Sequence, residues 1–149
     1  MAKVTIGVPV YNGSAYLEAA LENLRTQSCG DLKVLIYDNA STDDTSVIAA
    51  RFVDLDQRFH YFKQSSNRGA LSNFIDVLSA ADTEYFMWRA MDDGSDGDYV
   101  KTLLGLLEAQ PQCDLAVGKI VTFDLDGRKL REAPFPKLNG DRGLPDKVR

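Results

Sequence analysis

The stretch Tyr85-Phe86-Met87-Trp88-Arg89-Ala90-Met91-Asp92-Asp93-Gly94 joins an apolar segment to two adjacent acids and a glycine. It predicts a buried strand from Tyr85 to Met91 that delivers Asp92 and Asp93 to the carboxyl end of a sheet. Two carboxylates at a strand end are hard oxygen ligands, which suit Mg²⁺ or Mn²⁺, and these ions take water and phosphate oxygens in their remaining positions. The alternative is that both acids only cap the following loop or helix.

Composition limits the classes of protein to which this chain can belong. Its 149 residues, 44% of them hydrophobic, are enough for one domain with one core. A net charge of -5 gives no reason to expect nucleic acid or an anionic membrane surface as a partner. Cys29 and Cys113 lie far apart and outside any CxxC spacing, which fits a reducing cytoplasm. The N-terminus has the pattern of a strand, and no segment has the roughly 18 apolar residues of a membrane-spanning helix.

Strand-like and helix-like segments alternate along the chain. We expect strands at residues 4–10, 32–37, 59–62, 85–91 and 115–123, with a helix in each interval. The third helix carries an apolar stripe, which predicts a face packed on the core: Leu71, Phe74, Ile75 and Leu78. This order predicts an α/β fold, a three-layer α/β/α sandwich with a mostly parallel central sheet.

The chain changes character near its end. Asp124-Leu125-Asp126-Gly127 predicts a hairpin turn, because Asp-Gly readily adopts positive φ. From Arg128 the sequence is rich in proline and basic residues and shows no periodicity. We therefore expect a core at 1–127, truncated on its C-terminal side, and a linker or the start of a missing half at 128–149. An unpaired sheet edge at Phe123 would allow a homo-dimer to form.

Polar residues concentrate where the predicted strands end. In an open α/β sheet, ligands bind beyond the carboxyl ends of the strands. Neither the GxGxxG fingerprint nor the P-loop motif occurs, so a bound phosphate would need a metal, which Asp92 and Asp93 can supply. Tyr11 is placed to pack against a nucleobase.

Four segments together resemble the N-terminal, nucleotide-sugar-binding part of a family 2 glycosyltransferase with the GT-A fold. They occur in family-like order and spacing: Val8-Pro9-Val10-Tyr11-Asn12, Asp38-Asn39-Ala40-Ser41-Thr42-Asp43-Asp44-Thr45, Asn67-Arg68-Gly69 and Met91-Asp92-Asp93. The resemblance implies transfer of a sugar from a nucleotide diphosphate donor, typically UDP, to a glycan or lipid-linked acceptor. It also implies inversion at the anomeric carbon, a divalent metal, and a location in the cytoplasm or at its membrane face.

The resemblance also implies site residues. Pro9, Tyr11 and Asn12 would line the nucleotide pocket, and Asp38 would accept a hydrogen bond from uracil N3–H. The loop Asn67-Arg68-Gly69 would lie beside the base and the diphosphate.

The metal motif departs from the family pattern in one position. Asp92 would face the ribose or the metal shell, and Asp93 would ligate the metal. Many relatives carry a further acid two residues before the pair, where this chain has Ala90. The general base that inversion requires comes from the C-terminal half in the family, beyond this chain. The alternatives are a non-catalytic nucleotide-binding fragment and a nucleotidyltransferase.

Overall fold

The computed structural model describes residues 2–124 and 126–133. These residues divide into two compact units, the first ending at Asp114 and the second beginning at Leu115. The first unit contains four strands and four helices in strict alternation: β1 (Val4–Val10), α1 (Leu17–Arg25), β2 (Leu32–Asp38), α2 (Thr45–Leu55), β3 (Phe59–Lys63), α3 (Ala70–Ser79), β4 (Tyr85–Trp88) and α4 (Tyr99–Ala109). No helix in the described part of the chain is long and apolar enough to cross a membrane.

The four strands form one sheet in the order β3-β2-β1-β4. Every pairing in it is parallel, with Val4 beside both Leu32 and Tyr85. Successive side chains of a strand point to opposite sides of a sheet, so each strand presents residues to both faces. Helices cover both faces here. Ile6 and its even-numbered neighbours in β1 pack with α1 and α2, whereas Gly7 faces α3. The predicted α/β fold with a mostly parallel sheet is confirmed.

The most buried strand is β1, whereas the segment that begins at Tyr85, which was expected to be buried, is not. All seven residues of β1 are buried, whereas β4 is half-buried and ends at Trp88, three residues before the predicted end at Met91. In the described residues β4 pairs with β1 alone, so one of its edges lacks a strand neighbour there. A strand at a sheet edge is less buried than its apolar sequence suggests, which explains the error.

The apolar stripe predicted for α3 does not face the core. Its four residues are exposed, Leu71 by 75%, and the buried residues of the helix are Asn73 and Val77. Val77 lies close to Gly7 of β1: a Cβ added to Gly7 would be 3.0 Å from Val77 Cγ2. Gly7 therefore leaves the space that Val77 of α3 and Phe86 of β4 occupy on this face of the sheet.

Two helix boundaries also differ from expectation. The sequence favours Ser14 as the N-cap of the first helix and Gly30 as the residue that stops it. The helix instead begins at Leu17, after a turn in which Leu17 N donates to the carbonyl of Gly13, and it ends at Arg25.

The second unit contains an antiparallel hairpin of β5 (Ile120–Phe123) and β6 (Lys129–Ala133). Gly127 has a φ of +78°, as predicted for the turn. The strand expected from Leu115 is thus shorter, and part of the segment expected to be a linker is a strand. The rest of that segment lies outside the described residues. The proposed division at 127/128 stays a prediction. Self-association through the edge at Phe123 also stays a prediction.

Candidate functional site

A cleft of about 240 Å³ opens beyond the carboxyl ends of β1 and β4. The chain runs from β1 to β2 on one side and later places β4 on the other, so the cleft lies where the strand order reverses, the usual ligand position in such sheets. Its lining includes Pro9, Tyr11 and Asp92 from the predicted set, and in addition Val10, Asn39, Ala70, Asn73, Phe74, Ala90 and Met91. The cleft is therefore formed by the end of β1, by the residues that follow β1, β2 and β4, and by the first turns of α3.

Pro9 is compatible with a central strand because of where β4 ends. Gly7 O accepts from Arg89 N on the β4 side, and Val10 O accepts from Asn39 N on the β2 side. Residues alternate between the two sides, so the nitrogen of Pro9 faces the β4 side beyond Trp88, the last residue of that strand. No ladder hydrogen bond is lost there, and the cleft begins at this point.

The loops that follow β1 and β2 are joined by hydrogen bonds. Asn12 N donates to Ser41 Oγ at 2.9 Å, and Asn12 Oδ1 accepts from Thr42 N at 2.9 Å. Asn12 and Ala40 both have positive φ, 48° and 63°. Asn12 thus has a clear structural role at the cleft, and it is not among the residues that line it.

Asp43 reinforces the same junction. Its carboxylate accepts from Ser14 N at 3.0 Å and from Thr45 N at 3.1 Å, and Gly13 N donates to Thr45 Oγ1 at 2.9 Å. Burial opposes ionisation of Asp43, but the hydrogen bonds from Thr45 and Ser14 outweigh it and hold its pKa well below the usual value. The charged form of Asp43 is therefore part of the folded loop.

Asp38 is fully buried at the end of β2, and its carboxylate is hydrogen-bonded to groups of the protein itself. Oδ1 accepts from Ser41 N at 2.7 Å, Oδ2 accepts from the Tyr61 hydroxyl at 2.6 Å, and Lys63 Nζ lies 3.9 Å from Oδ2. Burial and the bond to Asp38 raise the pKa of Tyr61, so the phenol remains a donor. This geometry gives Asp38 a structural role. Base contact by Asp38 stays a prediction, and its neighbour Asn39 lines the cleft.

The predicted loop Asn67-Arg68-Gly69 is held against the end of β2 by Asn39. Asn39 Nδ2 donates to Asn67 Oδ1 at 2.9 Å, and Arg68 N donates to Asn39 Oδ1 at 2.9 Å. Gly69 has a φ of +83°, where glycine is favoured, and directly precedes α3. The Arg68 guanidinium pairs with Asp76 of α3 at 2.8 Å, and both partners are partly exposed. The loop is therefore placed beside the cleft, and the Arg68 side chain is directed to α3, the helix that follows.

Asp92 and Asp93 lie in the loop after β4, and both are exposed. Asp92 lines the cleft, and Asp93 N donates to Ala90 O in a turn. Among residues 2–124 and 126–133, no three His, Cys, Asp or Glu side chains are grouped to hold a metal by themselves. Two adjacent carboxylates nevertheless fit Mg²⁺ or Mn²⁺, because these ions commonly take one or two protein carboxylates and fill the shell with phosphate and water.

A buried polar network, which sequence reasoning missed, holds the loop after the acid pair. Asn23 on α1 and Gln27 just after that helix hydrogen-bond to the loop: Asn23 Nδ2 donates to Ser95 O at 2.8 Å, and Gln27 Nε2 donates to Asp96 O at 2.8 Å. Arg89 Nη2 donates to Ser95 Oγ at 2.6 Å. Burial lowers the pKa of Arg89, and the charge of Asp93 opposes that effect.

Comparison with known proteins agrees with this architecture. The family model described as glycosyl transferase family 2 matches residues 5–147, and the chain belongs to this family. It is 31% identical over 122 residues to the glycosyltransferase GlyA of Streptococcus pneumoniae, covering 82% of this chain and 17% of the relative. It is 25% identical to GlyG of the same organism, covering 81% of this chain and 40% of the relative. The chain thus spans well under half the length of these curated relatives.

Solved structures share the fold. The first 349 residues of Staphylococcus aureus TarS superpose with a TM-score of 0.69 at 21% identity, covering 73% of this chain and 33% of that fragment. The mannosyltransferase PcManGT of Pyrobaculum calidifontis, in complex with GDP-Man and Mn²⁺, gives a TM-score of 0.66 at 24% identity, covering 78% of this chain and 34% of that one. At these identities the similarity establishes the fold alone.

Proposed function

We propose that this chain forms the donor site of an inverting, metal-assisted glycosyltransferase that uses a nucleotide diphosphate sugar, UDP-linked in the first instance. The observation that carries this proposal is the cleft at the point of strand reversal, which is lined by Tyr11 and by Asp92, the first of the two exposed adjacent acids. An aromatic face suits a base, and paired carboxylates suit the metal that accompanies a diphosphate. TarS with UDP and PcManGT with GDP-Man and Mn²⁺ are ligand complexes with the same fold.

In this arrangement the base lies on Tyr11 near Pro9 and the end of β2, and the diphosphate extends towards Asp92 and Asp93. Tyr11 is 45% exposed, so its ring is free to stack. Asp93, with Asp92, would hold Mg²⁺ or Mn²⁺, which supplies charge neutralisation for the diphosphate leaving group. The loop Asn67-Arg68-Gly69 closes the side of the cleft next to Asn39.

The general base for inversion is proposed to lie in a part of the protein beyond this chain. Inversion requires a carboxylate on the face of the sugar opposite the leaving group. The acid pair is already assigned to the leaving-group side, and the curated relatives are more than twice as long as this chain. The glycan or lipid-linked acceptor would bind in that further part, on the cytoplasmic side.

The test is nucleotide binding measured by calorimetry. UDP, GDP, dTDP and UTP are titrated into the chain with Mn²⁺ and again with EDTA. We expect a diphosphate to bind best and to lose about tenfold or more of its affinity in EDTA. Stronger binding of the triphosphate would favour a nucleotidyltransferase, and no binding of any nucleotide by the folded chain would refute the proposal.

A pair of tyrosine variants locates the base. Tyr11→Leu keeps an apolar side chain but removes the ring, and stacking of a base on an aromatic ring contributes about 1–3 kcal/mol. UDP affinity should therefore fall roughly 5- to 100-fold. Tyr16→Leu is the matched control, because Tyr16 is similarly exposed, at 51%, but does not line the cleft. Equal effects of the two substitutions would contradict the proposed base position.

A further inference from the structure

Arg89 is a cation buried directly after β4. The residue is 6% exposed, and its guanidinium takes part in none of the ion pairs within the described part of the chain. A guanidinium stays charged at neutral pH, and burial of a charge is unfavourable where no ion pair compensates for it. The position of Arg89 is therefore explained by its other contacts.

These contacts join the two ends of the loop that carries the acid pair. Arg89 N donates to Gly7 O at 2.9 Å, which fixes the start of the loop on β1. Arg89 Nη2 donates to Ser95 Oγ at 2.6 Å. The guanidinium carbon also lies 5.9 Å from the ring centroid of Tyr99, the first residue of α4. One side chain thus closes the loop at its base.

The acid pair itself has little other support. Of residues 91–98, only Met91 and Ser95 are not exposed. Met91 packs against the core, and Ser95 is held by hydrogen bonds. Asp92 and Asp93 lie between these two points, and adjacent carboxylates repel each other. Their arrangement therefore depends on how firmly the loop is held on either side of them.

We propose that Arg89 is a positioning residue that holds the acid pair in one arrangement, suited to a divalent metal, before the metal binds. This inference rests on the proposed function. Arg89 does not line the cleft, so it acts through the loop and not by contact with the ligand. Residues that orient metal ligands from behind commonly have a large effect on metal affinity.

The sign of the effect separates positioning from simple electrostatics. The guanidinium is close enough to Asp93 for their charges to interact. A cation near a metal site repels the metal, so loss of the charge alone would strengthen Mn²⁺ binding. Loss of positioning would weaken Mn²⁺ binding. A weaker response to Mn²⁺ in a variant without the guanidinium therefore indicates positioning.

The experiment titrates UDP into the parent chain and into Arg89→Met, with Mn²⁺ and again with EDTA. Methionine fills much of the same space but lacks the charge and the donors. We expect the ratio of the UDP affinities with Mn²⁺ and with EDTA to fall at least about fivefold in Arg89→Met, while the affinity in EDTA changes less than about twofold.

Arg58→Met is the matched control for a purely structural role. Arg58 is a partly buried arginine that pairs with Asp56 at 2.7 Å and donates to the main-chain oxygen of Cys29, and it does not line the cleft. Its replacement should lower the thermal stability of the chain but leave the ratio of the two UDP affinities unchanged.

Hydrogen exchange of the metal-free chain gives a readout that needs no ligand. Asp93 N donates to Ala90 O, and Ser95 N donates to Asn23 Oδ1 at 3.0 Å. Both amides should exchange at least about threefold faster in Arg89→Met than in the parent, because the loop opens more often. The Arg58 variant should leave both rates unchanged.

Ser95→Ala keeps the inference testable if Arg89→Met does not fold. This substitution removes the acceptor of the Arg89 hydrogen bond and leaves the cation in place. It should lower the ratio of the two UDP affinities in the same direction, and an unchanged ratio would contradict the inference.

Three other results would overturn the inference: a ratio in Arg89→Met equal to or above that of the parent, the same fall in Arg58→Met, or unchanged exchange of the two loop amides. If the parent binds UDP equally well with Mn²⁺ and with EDTA, the metal-assisted part of the proposed function fails and the inference fails with it. Binding of no nucleotide at all would refute the proposed function as a whole. The inference alone is refuted when the parent shows metal-dependent binding and Arg89→Met retains it.

Discussion

Replacement of Asp38 by alanine should affect folding more than nucleotide recognition. Asp38 is 0% exposed, and its carboxylate accepts from Ser41 N and from the Tyr61 hydroxyl. Hydrogen bonds to a charged group contribute about 1.5–3 kcal/mol each. Taking the lower value, because the site relaxes partly, the two bonds predict a loss of about 3 kcal/mol in the free energy of unfolding. For a chain of this size that lowers Tm by about 6–12 °C.

Urea and thermal unfolding followed by circular dichroism measure this loss. Tyr61→Phe removes one of the two donors and should cost about 1–2 kcal/mol, and a double-mutant cycle should show coupling between the two positions. Asp54→Ala, an exposed acid at the end of α2, is the matched control and should stay within about 0.5 kcal/mol of the parent. Asp38→Asn keeps an acceptor for Ser41 and should retain UDP affinity within about threefold. Normal stability of Asp38→Ala combined with loss of UDP binding in Asp38→Asn would refute the structural role and support direct base contact.

Three further substitutions probe the loops that surround the cleft. Gly13→Ala would place a Cβ 2.5 Å from Met91 Sδ, and this overpacking should lower the free energy of unfolding in urea by about 1–3 kcal/mol. An unchanged urea midpoint would contradict this prediction. The depressed pKa of Asp43 means that its contribution to stability is present above the ordinary value of 3.8 and is lost as pH falls towards the folded-state pKa. Asp43→Asn should therefore flatten the acid side of the stability profile, and an unchanged profile would contradict that reasoning. Gln27→Leu leaves the main-chain groups it binds without partners, so amides near Ser95 should exchange hydrogen faster than in the parent; unchanged protection would show that Gln27 does not hold the loop.

The order of helices and strands was predictable because the hydrophobic periodicity of each segment agrees with the polar residues at the segment ends. β1 has the predicted bounds, β2 and β3 each extend one residue beyond theirs, and the parallel sheet follows from the alternation. Burial was less predictable. In the part of the chain that the structure describes, the apolar segment at 85–88 is an edge strand, and α3 contacts the sheet at Gly7 through Val77 while its apolar stripe is exposed. Such outcomes depend on which strands become neighbours, which local pattern does not encode.

The location of the site was also predictable, but the roles of its side chains were less so. Pro9, Tyr11 and Asp92 line the cleft as expected. The resemblance assigned Asp38 to the base; its carboxylate accepts two hydrogen bonds within the fold, and base contact stays a prediction. Asn39 beside it lines the cleft. Asn73, a buried asparagine within α3, also lines the cleft and was not singled out from the sequence.

Metal-dependent binding of UDP tests the central claim most directly. We would titrate UDP with Mn²⁺ into the unaltered chain, into Asp93→Ala and into Asp96→Ala, an exposed acid in the same loop that lies outside the cleft lining. The account predicts that EDTA and Asp93→Ala reduce UDP affinity by the same factor, that Asp93→Ala no longer responds to EDTA, and that Asp96→Ala behaves like the parent. Binding that is indifferent to both the metal and Asp93 would contradict the account.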